Sequence, residues 1–384
     1  MTVGLRKVVF QIHLWLGLTI GLLWAMQGLT GATLVFWREI DRLSMSVVTH
    51  GPPAPLDSVV ASARAQIGAA PIDRVAYKDQ TRDLFDVYYR DPSGHLRALQ
   101  IDASSARVAG GYDLEPSSPF TGAATRWIYK MHMALTLGDA GETLIGISGL
   151  FLLSALGFGL WMGWPRRHGW SAAFAVQRWK KREHRLFGWH RMIGLVAGFA
   201  LCLNALTGAG MVFEDTLRQG IAMVMPYQAF NNPMGHHAPP GPSLRNAGVS
   251  AGQALAIARA RFPKAPWTRI FMPTAAKPYY SVRLRRKGDS RAWLGATTVS
   301  VDARTGAIID VYDAVDAPFS NRLLDALYPI HIGEFGGLIG RLLVLCAGLS
   351  LPFFYVTGMW AWLSKRRQKA QRAADRSSRF RDGV

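Results

Sequence analysis

Apolar positions gather into four long runs with few charges: Val8–Phe36, Leu144–Trp164, Met192–Phe213 and Leu338–Leu363. Each offers the roughly 20 residues a helix needs to cross a bilayer core. Between the first and second runs the pattern changes period. Leu56–Gly68 reads as an amphipathic helix, and the alternating stretches "DLFDVYY" and "LRALQID" flank a turn from Asp91 to Gly94. The same order returns between the third and fourth runs. Ser250–Phe262 is a helix stopped by Pro263, and "YYSVRLR" and "TTVSVD" flank a turn region at Lys287–Ser290. Each segment closes with a strand, an Asp and a tight turn, "IDASSARVAG" at 101–110 and "VDARTGAII" at 301–309. A helix plus a small antiparallel sheet, an α+β module, is the expected fold of each.

The chain also matches itself. Adding 177 to positions in the first run gives the third: His13 maps to His190, Gly17 to Gly194, Gly21 to Gly198, Gln27 to Asn204, and Leu29, Thr30 and Gly31 to Leu206, Thr207 and Gly208. Adding 199 takes the second run to the fourth: His132 maps to His331, Gly138 to Gly337, Gly149 to Gly348 and Trp161 to Trp360. The expected architecture is a helical membrane protein with four transmembrane helices, two external α+β modules and an internal two-fold repeat. The helices fall in 1–37, 143–164, 188–213 and 337–363. The external modules fill 38–142 and 214–336, and the basic segments are the loop 165–187 and the tail 364–384.

Composition agrees with a membrane protein: 49% of the 384 residues are hydrophobic, with 13 Trp and 39 Gly. A net charge of +19 would suit a nucleic-acid binder, but its distribution does not. The connector Pro165–Phe187 holds seven Lys/Arg against one acid, and the tail after Leu363 holds eight against two. Arg6 and Lys7 precede the first run. These segments share one side of a four-helix topology, as cytoplasmic loops do, so both termini are expected inside and the modules outside, with the lipid bilayer as partner and no nucleic acid. The first run is too long for a cleavable signal and no A-x-A site follows, so it is expected to stay as an anchor. Cys202 and Cys346 both fall within runs and form no disulfide framework, and no C-x-x-C-H for covalent haem attachment occurs.

The two "D-x-x-[ST]-[GA]" ends, "H-x-x-x-G" with "L-T-G" in runs one and three, and "YKMHMALTLGDAG" and "YPIHIGEFGG" before runs two and four resemble the PepSY-associated transmembrane-helix family of bacterial inner-membrane proteins. The resemblance covers Leu5 to about Arg367. In length and layout it is nearest to the FoxB-type ferrisiderophore reductases within that family, which are di-haem. It implies PepSY-like external modules, an inner-membrane location and haem-dependent oxidoreductase activity.

Four histidines carry the candidate chemistry. His13 and His190 lie at one depth near the inner face; His132 and His331 lie at the outer. Two imidazoles at one depth can reach one iron from opposite sides and leave a six-coordinate centre suited to electron transfer. The resemblance implies haem as well, two haem b with these four residues as axial ligands. A histidine-bound zinc or copper is the competing reading, weakened by the lack of an evident carboxylate or thiol cluster. Gly17 and Gly194, one turn from His13 and His190, would leave room for a flat macrocycle, although small-residue helix packing, to which Gly21 and Gly198 also belong, reads the same way. Arg341, the counterpart of Glu142, suits a haem propionate, an ion pair with Glu142 or a lipid phosphate equally. His236 and His237 lie in a Pro/Gly-rich loop. With no dinucleotide fingerprint and no Walker loop in the chain, electrons are expected from a cytoplasmic flavoprotein or membrane quinol. By resemblance, the acceptor is a ferric siderophore on the outside. A membrane-anchored, non-enzymatic PepSY binding or inhibitory module is the alternative, and a repeat-built transporter is less in keeping with four spans.

Overall fold

The computed structural model describes residues 3–43, 51–77, 83–120, 124–165, 169–175, 182–230, 244 and 247–381. In chain order the helices are α1 (Val3–Thr19), α2 (Gly21–Leu34), α3 (Trp37–Arg42), α4 (Leu56–Ile67), α5 (Ala124–Ala134), α6 (Gly138–Gly163), α7 (Trp170–Phe174), α8 (Arg182–Val212), α9 (Glu214–Val224), α10 (Ala251–Arg261), α11 (Phe319–His331) and α12 (Gly337–Arg381). The strands are β1 (Ile72–Tyr77), β2 (Leu84–Arg90), β3 (Leu96–Asp102), β4 (Val108–Asp113), β5 (Trp267–Phe271), β6 (Tyr279–Leu284), β7 (Thr297–Asp302) and β8 (Ile308–Tyr312). They divide into two compact units. One holds Met1–Val35, Met131–Phe213 and His331–Val384; the other holds Phe36–Lys130 and Glu214–Ile330.

The first unit is a helical bundle. Among the described residues three helices are long and apolar enough to cross a membrane, and four if the bent pair α1–α2 is one span. Small residues let the helices close on one another. A Cβ on Gly28 of α2 would collide with the Gly348 carbonyl of α12, and Gly149 of α6 lies against Ala205 and Ala209 of α8. Such contacts replace the hydrophobic drive that is absent between helices in lipid. Trp24, Ala155, Leu201, Ala347 and Leu351 fill the centre, and the Trp24 indole donates to the Ser148 carbonyl at 3.1 Å. Large apolar side chains such as Val196, Phe199, Leu206, Leu343 and Val356 point outward, exposed. Water is a poor solvent for so wide an apolar belt; lipid is the natural one.

The second unit is built on one antiparallel sheet of eight strands, in the order β4-β3-β2-β1-β5-β6-β7-β8. Helices α4 and α10 cover one face. Val59 and Ala63 from α4 and Ala254, Leu255 and Ala258 from α10 pack on Val75, Val87, Ile101, Ile270, Val282, Val299 and Val301. Full burial of each Val or Ile side chain is worth about 1.5–3 kcal/mol, so this layer carries most of the unit's stability. Asp57, in the first turn of α4, ties the helices together by accepting from Gly252 N and Ser250 Oγ at the start of α10, both at 2.8 Å. Ser250 and Gln253 also form a capping box there.

Three expectations change. Two separate small sheets were expected, but β1 and β5 pair through Arg74–Phe271, Val75–Ile270 and Ala76–Arg269, so the sheet is continuous. Neither strand shows in the period-two pattern, because each carries an irregular step, between Ile72 and Arg74 and between Trp267 and Arg269. That step puts Ile72 and Val75, and likewise Trp267 and Ile270, on the same face at a spacing of three. The first apolar run is not one straight helix: α1 and α2 meet at a bend of 62°. The ring of Tyr355 occupies the space a Cβ of Gly21 would need, just past the bend. The two basic segments are also more helical than expected, since α8 begins at Arg182 and α12 continues to Arg381.

The turns that close β3 and β7 show how their motif works. Asp102 Oδ1 accepts from the amides of Ser104 and Ser105, and Asp302 Oδ1 from those of Arg304 and Thr305. The chain then passes through a left-handed residue, Gly306 at φ +76° in one turn and Ala106 at φ +55° in the other. A Cβ in that conformation costs about 1–2 kcal/mol, partly offset by the flexibility glycine lends the unfolded chain. Ala106→Gly is therefore expected to stabilise this unit by about 0.5–1 kcal/mol, read as slower native-state hydrogen exchange along β3. Ala307→Gly, one residue past the corresponding left-handed position, should bring no such gain.

Candidate functional site

The bundle brings the four histidines together as two facing pairs. His13 on α1 and His190 on α8 have ring centroids 6.4 Å apart; His132 at the end of α5 and His331 at the end of α11 have theirs 6.3 Å apart. Along α8, His190 and Thr207, which touches His331, are separated by 17 residues. At a rise of about 1.5 Å per residue the two levels lie roughly 25 Å apart.

Backbone geometry sets the rings of the second pair. After α5 the chain reverses through Leu135 and Thr136, both at positive φ (53° and 60°), a region that a β-branched residue enters only under constraint. The reversal closes on Gly141, where a Cβ would collide with the Ala134 carbonyl. After α11 the same closure is made by Gly340 against Gly333. Each histidine ring then lies on a helical glycine. A Cβ at Gly31 would sit 2.9 Å from His132 Cε1, one at Gly208 2.9 Å from His331 Cε1, and one at Gly159 3.1 Å from His13 Cε1; Gly358 faces His190 at 3.9 Å.

Hydrogen bonds assign the tautomers. His13 Nδ1 lies 2.9 Å from the Ala155 carbonyl, and His331 Nδ1 lies 3.1 Å from the Asn204 carbonyl. A carbonyl only accepts, so both Nδ1 atoms carry the proton. His132 Nδ1 meets Thr30 Oγ1 at 3.0 Å, and His190 Nδ1 meets Thr357 Oγ1 at 2.8 Å. Each of those hydroxyls gives its one proton to a carbonyl of its own helix, Met26 for Thr30 and Phe353 for Thr357, at 2.8 Å in both cases. They therefore accept from the imidazoles. In the neutral ring this Nδ1–H form leaves Nε2 as a lone pair, the form in which histidine binds a metal.

The spacing fits one metal ion per pair. A metal–imidazole bond is about 2.0 Å, and a nitrogen stands a little over 1 Å from its ring centre. Two imidazoles on opposite sides of one ion therefore have centroids about 6.3 Å apart. Among the described residues no group of three or more His, Cys, Asp or Glu side chains is placed to hold a metal. Each pair could supply two protein ligands at most, and the rest of a coordination sphere would have to come from the bound group itself. Gly17 and Gly194 suit a flat one: a Cβ on either would meet no atom within 4 Å. Gly21 and Gly198 differ, being filled by Tyr355 and Leu160, and act in helix packing.

A family model described as the PepSY-associated TM region matches residues 10–365. The chain belongs to the PepSY-associated TM family. Comparison with curated proteins returns no match. In this PepSY-associated TM protein, Gln27 and Asn204 are interhelical donors, Gln27 Nε2 to the Met131 carbonyl at 3.5 Å and Asn204 Nδ2 to the His331 carbonyl at 3.2 Å. They pin the backbone that presents the second pair. Arg341 gives Nε and Nη2 to the Val35 carbonyl, at 3.2 and 2.7 Å, so it caps the end of α2 instead of pairing with Glu142. His236 and His237 lie outside the described residues. The role of Gly31 and Gly208 had a signal in the repeated "LTG", whereas Gly159 and Gly358, matched at a spacing of 199, were passed over because the run around them is rich in small residues.

The tautomer assignment is testable without any cofactor. In protein labelled with ¹⁵N-histidine, the four bundle imidazoles are expected as neutral Nδ1–H forms. Thr30→Val and Thr357→Val remove one acceptor each, worth about 1 kcal/mol, and should mix the tautomers of His132 and His190 respectively. His13, bonded to a main-chain carbonyl, should stay unchanged in both.

Proposed function

We propose that this protein is a di-haem electron-transfer protein of the bacterial inner membrane, a haem-dependent oxidoreductase that reduces ferric siderophores on the periplasmic side. The observation that carries the reading is the pair of facing imidazole couples, each at the separation one six-coordinate iron requires and each with Nε2 free. His13 and His190 would hold one haem b, and His132 and His331 the other. Haem, when bound, would supply a one-electron couple at each level and the nitrogen donors that the protein does not.

The chain's own residues do the rest. Ala155, Thr30, Thr357 and the Asn204 carbonyl hold the Nδ1 protons and so aim Nε2. The glycines under the rings set how far each imidazole reaches, and a Cβ on Gly17 or Gly194 would meet no atom within 4 Å. The apolar bundle keeps water away from both. With the basic connector and tail in the cytoplasm, His13 and His190 face the inner side, where a flavoprotein or membrane quinol would deliver electrons. His132 and His331 face the outer side. There one electron converts Fe(III) to Fe(II), which hard oxygen donors hold more weakly, and the iron is released. We further read the recurrence of helix, four strands and helix in the external unit as two fused PepSY-like modules, and the layout as that of the FoxB-type ferrisiderophore reductases.

Detergent-purified protein is expected to show two b-type haems per chain by pyridine haemochrome, with low-spin spectra in both redox states. His132→Ala with His331→Ala should remove one haem and abolish reduction of a ferric siderophore by dithionite-charged protein in vesicles, while the other haem stays. A colourless but folded protein from haem-replete cells would overturn the proposal and leave a membrane-anchored binding module in its place.

A further inference from the structure

None of the residues of α9 is buried. Leu217, Gly220 and Val224 fall on one side of it, three and seven residues apart, with Met223 beside them. All four are exposed, Met223 at 84% and Val224 at 80%. Asp215 and Gln219, four apart, take another side. At 11 residues, with a glycine in the middle, α9 is shorter than the roughly 12–15 residues that a helix needs to hold by itself in water. Glycine weakens it further. Such a helix needs a surface to lie on.

Helix α11 brings a second apolar strip to the same place. Phe319 and Leu323 are exposed, while Ser320, Asn321, Leu324 and Asp325 turn inward and are buried. Ala326 and Ile330 continue the strip, half-buried. Hydrogen bonds fasten the chain that leaves α9 to the start of α11. The Gln228 amide donates to Asn321 Oδ1 at 2.9 Å, Asn321 Nδ2 donates to the Gln228 carbonyl at 2.8 Å, and Ser320 Oγ donates to the Pro226 carbonyl. The end of α9, with Met223 and Val224, is thus held near Phe319 and Leu323. Single exposed apolar residues are ordinary; gathered in this way they mark a binding surface.

We propose that the apolar patch of α9 and α11 docks on the lipid bilayer, at the boundary between headgroups and acyl chains. Continuity with the lipid-facing belt favours this occupant. Helix α9 begins two residues after α8 ends, and α8 exposes Val196, Phe199, Leu203 and Leu206 along its length. Helix α11 runs to His331, and α12, a second span, begins six residues later. Each helix is therefore tethered at one end to a segment that lies in lipid. The first half of the repeat shows a shorter version. Phe36 and Phe213 correspond at a spacing of 177, a helix starts directly after each, and α3 leaves Ile40 exposed with Leu43 exposed behind it. The one basic residue of α9, Arg218, is paired with Asp215, so attachment rests on burial of apolar surface and not on attraction to anionic headgroups.

Lipid contact of this kind depends on the spans and not on haem, so its test is independent of the chemistry proposed above. Full-length protein with Cys202→Ser and Cys346→Ser is given one nitroxide at a time, on Val224→Cys, Leu323→Cys or Leu217→Cys, and placed in phosphatidylcholine nanodiscs. Collisions with oxygen, which concentrates in lipid, are compared with collisions with a neutral nickel chelate, which stays in water. The oxygen-to-nickel ratio is expected to be severalfold higher at Val224 and Leu323 than at Gln219→Cys on the polar side and Lys287→Cys on the exposed turn. It should approach the ratio at Val196→Cys on the outward face of α8. Leu217→Cys serves as the second site on α9 if Val224→Cys does not fold. A ratio at Val224 and Leu323 equal to that at Lys287 overturns the lipid surface. Shielding from both reagents overturns it as well, because the cover is then protein; dipolar coupling between labels in nanodiscs holding several chains would identify that cover as a second copy.

Discussion

A polar ring enclosed in an apolar bundle must have each nitrogen accounted for, because no water is at hand to satisfy it. That requirement governs the helical unit. On every one of the four imidazoles one nitrogen is spent on the protein, through Ala155, Thr30, Thr357 or Asn204. A Cβ at Gly31, Gly208 or Gly159 would press on the ring of His132, His331 or His13, so glycine at these places lets the helices bring the acceptors close. The small residues, the bend before α2 and the tight reversals after α5 and α11 follow from the same need. Four histidines arranged in two facing pairs make poor sense as packing alone: an apolar side chain would fill each place at lower cost.

The sheet unit meets a different constraint. Each group of four strands would leave an open edge if it stood alone, and an open edge invites pairing with other chains. Joining β1 to β5 removes two of the four edges and lets α4 and α10 lie side by side over a single core. The irregular steps in β1 and β5 have a second effect. By shifting the alternation they turn Arg74 and Arg269 onto the face opposite the helices, where Arg283 already stands. The seam that makes the fold continuous is thus also what gathers the arginines.

Much of this was legible in the residues. The apolar runs became helices, the amphipathic stretches at Leu56 and Ser250 became α4 and α10, and the four histidines paired as their spacing suggested. The failures have separate causes. β1 and β5 escaped notice because each contains an irregular step, so no alternation survives to be seen. The bend at Ile20 was hidden because the apolar pattern runs through it unbroken, and Tyr355, which packs beside it on Gly21, is far along the chain. Arg341 was read through its neighbours in sequence, whereas its partner, the Val35 carbonyl, is a main-chain group that no side-chain pattern reports.

The two histidine pairs are not equivalent, and the difference lies at one position. His132 and His331 meet Thr30 and Thr207, residues matched at a spacing of 177. His13 and His190 depart from this symmetry. Thr357 accepts from His190, but the residue 199 positions earlier is Phe158, which has no hydroxyl to offer, and His13 turns instead to the Ala155 carbonyl. A main-chain carbonyl is a stronger acceptor than a hydroxyl and draws more electron density onto the opposite nitrogen. Each pair still holds an imidazole on a main-chain carbonyl, His13 on Ala155 and His331 on Asn204. The symmetry of the repeat is thus broken at His13, where the threonine is missing and the main chain takes its place.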